Sequence, residues 1–121
     1  MNTIIAIGSI LGMLSVIIGA FGAHALKGKF AEEKYELTFE TGVRYQMYHS
    51  LAIFLVGLLM GQLGEIQTLI VATYLFIGGI ILFSGSLYML SILGIRKFGA
   101  ITPLGGLLFI AGWVCVLIAV L

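Results

Sequence analysis

Cysteine, proline and charge are all scarce in this chain, and each scarcity closes off a class of explanation. Cys115 is the only cysteine among 121 residues, so no intrachain disulfide can form. Pro103 is the only proline. Charged residues make up 9% of the chain against 61% hydrophobic ones. A soluble domain of this size could not hide so much apolar surface, and the chain reads as an integral membrane protein. Its formal net charge of +1 offers no basis for binding nucleic acid.

Four apolar runs are present, near residues 3–25, 44–63, 67–93 and 101–121. Each is long enough to cross roughly 30 Å of hydrocarbon at about 1.5 Å per helical residue. The runs lack period-two alternation, which makes them helices and not barrel strands. The expected fold class is therefore an all-α membrane protein, with four transmembrane helices in an antiparallel bundle forming a single domain over residues 1–121. Ala23, His24 and Ala25 have the small-x-small look of a signal-peptidase site. No basic residue precedes the first run, however, and the run exceeds the about 7 to 15 residues of a signal core, so helix 1 is expected to be retained.

Lysine and arginine are absent from both termini and from the 64–67 connection. Lys27, Lys29, Lys34 and Arg44 lie between or beside helices 1 and 2, and Arg96 and Lys97 between helices 3 and 4. The positive-inside rule then places loops 26–43 and 94–100 in the cytoplasm, with the termini and Glu65 outside the cell membrane. Within the first loop, Ala31, Tyr35, Phe39 and Val43 recur at every fourth residue, while Glu33, Glu36 and Glu40 mark another face. A short interfacial helix between helices 1 and 2 and an ordinary solvated connector both fit this pattern. Glu40 and Arg44 are spaced to pair along a helix.

Small residues form the most regular pattern inside the runs. Gly8, Gly12, Ser15, Gly19 and Gly22 follow a spacing of four, three, four and three, which places all five on one stripe of helix 1. Such a stripe lets another helix approach to backbone contact, where packing drives association in lipid. The pattern leaves open whether the partner helix belongs to the same chain or to a second subunit, and a homo-oligomer is one expected outcome.

Polar side chains gather toward the cytoplasmic half of the runs. His24 and His49 are the only histidines, and they flank the one long polar stretch. Arg44, Tyr45 and Gln46 precede His49, helix 3 carries Ser84, Ser86 and Tyr88, and helix 4 opens with Thr102 before Pro103. Polar groups at membrane depth are costly unless partnered. The expectation is an inward-facing hydrogen-bonded cluster in which the two imidazoles converge, with Thr102 capping helix 4.

What chemistry this cluster could perform is limited by what is missing. No acidic residue lies inside the four runs, which argues against proton-driven export. There is no nucleophile beside a base, no acid pair and no phosphate-binding glycine loop, so no enzymatic activity is expected. Structural zinc would want four ligands, and no haem-attachment motif is present, so no metal or other cofactor is expected. Three readings compete. The first is a non-enzymatic structural or accessory component; the second is a pocket or path for a small solute, ion or lipid headgroup using His24, Arg44 and His49. A metal or haem site shared by the two histidines is the third. Membrane lipid is the one implied partner, and no protein partner is specified.

The segments GAFGAHAL (19–26), RYQMYHS (44–50), FSGSLY (83–88) and GAITPLGGLLFIAGW (99–113), in this order, resemble the uncharacterised small bacterial membrane proteins grouped as domain-of-unknown-function family four-two-three. The resemblance implies a four-helix protein of the bacterial cytoplasmic membrane and supplies no activity, substrate or cofactor.

Overall fold

A computed structural model describes residues 1–121 as four long helices without strands. They are α1 (Asn2–His24), α2 (Tyr35–Leu63), α3 (Gln67–Leu93) and α4 (Thr102–Val120). All four are long and apolar enough to cross a membrane.

One boundary departs from the sequence reading. α2 starts at Tyr35, nine residues before the predicted start at 44, so no separate interfacial helix exists between α1 and α2. Two of the four residues in the apolar row that suggested one, Tyr35 and Phe39, are buried in the bundle, and the Phe39 ring meets Phe30 and Tyr88 at centroid distances of 5.3 and 5.2 Å. A helix whose apolar face finds partners has no reason to peel away onto the membrane surface. Only the short stretch before it serves as connector, pinned by the Ala31 N–H donating to the Ser91 carbonyl at 3.0 Å. The expected Glu40 to Arg44 pair is also absent; Arg44 Nη2 lies 3.4 Å from the Thr41 hydroxyl instead.

α3 is interrupted by a π-helical turn, Ile80–Ser84, where Gly105 of α4 packs on Phe83. A Cβ on Gly105 would collide with the backbone of Phe83, so glycine is what permits this crossing. Gly94, at φ +70°, ends α3 in the left-handed conformation that closes a helix without steric penalty. A 3₁₀ turn, Arg96–Ala100, leads into α4. Thr102 is the first residue of α4 and not its cap; Ile101 precedes it, and the Thr102 hydroxyl turns back to the Phe98 carbonyl and to Ser86. At the opposite end of the bundle the Met1 ammonium donates to Glu65 at 2.7 Å, and this bond and charge hold the Glu65 carboxyl below its usual range.

The core is built by α2, α3 and α4, with Ile53, Val56, Leu69, Phe76 and Phe109 at its centre. α1 is strapped to the outside of α2 and buries only Gly8, Ser15 and Gly22. Its small-residue stripe faces α2 of the same chain: Gly8 lies against Ser50 and Phe54, Gly12 against Ser50, Gly19 against Val43 and Gly22 against Phe39. The pairs run in opposite directions along the two helices, which fixes their antiparallel register.

That register can be tested with two single methyl groups. A Cβ at Gly8 would sit 2.7 Å from the Phe54 backbone nitrogen, whereas one at Gly12 would make ordinary contact at 3.8 Å. Gly8→Ala is expected to lower stability by about 1–3 kcal/mol, and Gly12→Ala to change it little, in thermal unfolding of detergent-solubilised protein. Equal effects would contradict the register.

Candidate functional site

The two histidines do not meet. Gly12 lies level with Met47 and Ser50, hence beside the turn that carries His49, and His24 is twelve residues further along α1. At 1.5 Å per residue this separates them by roughly 18 Å along the bundle axis. His24 is exposed at the end of α1, while His49 is 5% exposed and lies fourteen residues from either end of α2. The proposed imidazole pair of the cytoplasmic half is therefore replaced by one histidine at mid-depth and one at the surface. The sequence placed both near one end because it started helix 2 at residue 44, which made His49 look terminal.

Around His49 the interior is aromatic. Its ring stacks on Phe109 with centroids 3.6 Å apart and planes 8° from parallel, and Phe76 and Tyr45 stand at 5.5 and 6.1 Å. The indole Nε1–H of Trp113 donates to His49 Nε2 at 3.1 Å, and His49 Nδ1 lies 2.8 Å from the Tyr45 carbonyl. An indole N–H can only donate and a carbonyl can only accept, so the network assigns the proton to Nδ1 and the lone pair to Nε2. Both ring nitrogens are occupied.

Most of the other polar residues singled out in the sequence fall into two hydrogen-bonded sets. Gln46 bridges three helices: its amide donates to the Leu11 carbonyl of α1 at 3.0 Å, and its Oε1 accepts from the Tyr88 hydroxyl of α3 at 2.6 Å. Ser84 and Ser86 tie α3 to its neighbours, Ser84 donating to the Gly42 carbonyl at 2.6 Å and Ser86 sharing a hydrogen bond with Thr102 at 2.6 Å. Arg44 belongs to neither set and is exposed, as is His24. Tyr45 contributes its ring, packed on Phe83 at 4.7 Å, and not its hydroxyl.

Trp113, Phe109 and Phe76 were missed by reasoning from polar residues alone. Trp113 did carry a signal: it is the only tryptophan and sits deep inside a span, not at an interface where indoles usually settle. Trp113 is 46% exposed on the outer face of the bundle, and at this depth its indole N–H finds no water and wants an acceptor. His49 is the acceptor that this chain supplies.

Chemically the arrangement is closed. No buried side-chain nitrogen or oxygen lacks a hydrogen-bond partner. No three His, Cys or Glu side chains converge, and the separation of the histidines removes the geometry for a haem held between them within one chain.

Single substitutions separate structural from peripheral positions. Trp113→Phe leaves His49 Nε2 without its donor and is expected to lower stability by about 0.6 kcal/mol, and by no more than about 1.7, the mean and maximum for interhelical hydrogen bonds in a membrane. His24→Ala, at an exposed site, is expected to stay within about 0.5 kcal/mol of the parent. Unfolding in detergent measures both, and a larger loss at His24 would reverse the assignment.

The family described as "Protein of unknown function (DUF423)" matches residues 18–106. The chain is 47% identical over 119 residues to the UPF0382 membrane protein YwdK of Bacillus subtilis, covering 98% of this chain and 96% of that protein. It is 46% identical over 119 residues to the UPF0382 membrane protein SH2409 of Staphylococcus haemolyticus, covering 98% and 95% of the two. No solved structure matches it. With a closed four-helix architecture and full-length similarity to these proteins, the chain belongs to the DUF423 family of bacterial membrane proteins, whose function is unknown.

Proposed function

We propose that this protein is a non-enzymatic structural or accessory component of the bacterial cell membrane, and that its buried polar network sets helix register without engaging a substrate. The observation that carries the reading is the internal satisfaction of every buried polar side chain, His49 included. A site built to bind a solute at His49 would leave a nitrogen facing a cavity; here both are answered by the protein and walled by aromatic rings. The small-residue stripe of α1 is occupied by α2, so the reading does not call for a second subunit.

Orientation belongs to the same proposal. Both loops that carry Lys and Arg leave the bundle at one end, and the positive-inside rule turns that end to the cytoplasm. In a Cys115→Ser background, Glu65→Cys is expected to react with a membrane-impermeant maleimide in intact spheroplasts, and Lys97→Cys only after lysis. The opposite pattern would invert the topology.

The register role is tested by removing both members of the His49–Trp113 bond together, which leaves no orphaned polar group. His49→Leu combined with Trp113→Phe is expected to yield a folded helical protein whose amide NMR spectrum shows several conformers, because cores lose uniqueness before they lose stability. A single sharp set of resonances would overturn the role given to this pair.

A further inference from the structure

Outside the closed interior, one cleft combines apolar walls with free charges of both signs. It lies where the last turns of α1 meet the first turns of α2, with a volume of about 180 Å³. Gly19, Gly22 and Ala23 form its floor, and Phe30 and Phe39 form one wall. It opens into a second hollow through the shared residues Phe30 and Glu36, with Lys27 on the far rim.

The charges follow a definite order. Glu36, Glu40 and Arg44 are four residues apart on one stripe of α2, and all three line the cleft. None is engaged in an ion pair; the two pairs of the chain are Met1 with Glu65 and Lys34 with Glu32. Each step along the stripe is roughly 6 Å of helix rise, so Arg44 lies about 12 Å nearer the bundle centre than Glu36. Gly19 of α1 is level with Val43 and Gly22 with Phe39, and α1 ends at His24, so the cleft runs from inside the span at Arg44 to the end of α1 at Glu36.

We propose that this cleft holds the headgroup of a zwitterionic phospholipid. In such a lipid the phosphate lies nearer the acyl chains and the ammonium further out, which is the order in which α2 presents its guanidinium and its carboxylates. Arg44 would pair with phosphate oxygens through its forked donors. Glu36 and Glu40 would meet the ammonium, with the partly exposed Phe30 ring beside the same cation. Beside α1 the acyl chains return to the bilayer. A purely anionic lipid would satisfy Arg44 and leave two carboxylates facing its own negative charge.

Full-length protein in detergent, titrated with short-chain phosphatidylethanolamine and phosphatidylglycerol, tests the assignment. Phosphatidylethanolamine is expected to bind at least about tenfold tighter, the equivalent of one charge-assisted hydrogen bond. Glu36→Gln with Glu40→Gln is expected to erase that preference while leaving phosphatidylglycerol binding in place. Arg44→Gln is expected to weaken both lipids. All three residues are exposed, so helicity and Trp113 emission are expected to match the parent and to exclude misfolding. Equal affinity of the parent protein for the two lipids, a preference for phosphatidylglycerol, or a preference that survives the double substitution would overturn the proposal. These outcomes are independent of the His49 and Trp113 variants, which probe a different part of the bundle.

Discussion

A bilayer interior offers no water to a stranded polar group, so each hydroxyl, amide or imidazole placed there must be answered from within the protein. α2 is where this constraint is met. Its residues Gly42, Tyr45, Gln46 and His49 exchange hydrogen bonds or ring contacts with all three other helices: Leu11 on α1, Ser84 and Tyr88 on α3, and Phe109 and Trp113 on α4. Apolar packing between helices is only weakly selective in lipid, because neighbouring acyl chains are equally apolar. A few directional bonds spread over successive turns therefore decide which of many similar packings is adopted.

Glycine makes those bonds reachable. Where α1 lies on α2 and where α4 crosses α3, a single methyl would push the backbones apart, and the hydrogen bonds to Leu11 and Thr102 span gaps that exist only because the helices touch. The π turn at Ile80–Ser84 belongs to the same design. It falls at the α4 crossing and ends with Ser84 aimed at the Gly42 carbonyl. Packing and polar pairing are in this sense one constraint seen from two sides.

Much of this was legible in the sequence. Apolar runs located α1, α3 and α4 to within a residue or two, because continuous hydrophobicity over a span has few alternatives. The stripe on α1 announced a close helix contact, though not its partner, since spacing is silent about which chain supplies the other face. The start of α2 was hidden because Glu33, Glu36 and Glu40 interrupt the apolar signal, while the burial of Phe39 depends on Gly22 and Tyr88, which are distant in sequence. Of the polar residues singled out, Gln46, Ser84, Ser86, Tyr88 and Thr102 join helices by hydrogen bonds, but they do not gather around a pair of histidines. His24 and His49 looked alike as lone histidines beside a loop, and only the register of α1 on α2 shows that one is central and the other peripheral.

The central claim, that His49 is an internally satisfied hub and not an open ligand, is tested most directly by nitrogen-15 NMR of its imidazole in lipid bilayers. The expected spectrum has a protonated Nδ1, an unprotonated Nε2, and a through-space correlation from Nε2 to the indole Nε1–H of Trp113. An imidazole protonated at Nε2, or one whose Nε2 correlates with water and not with Trp113, would contradict it.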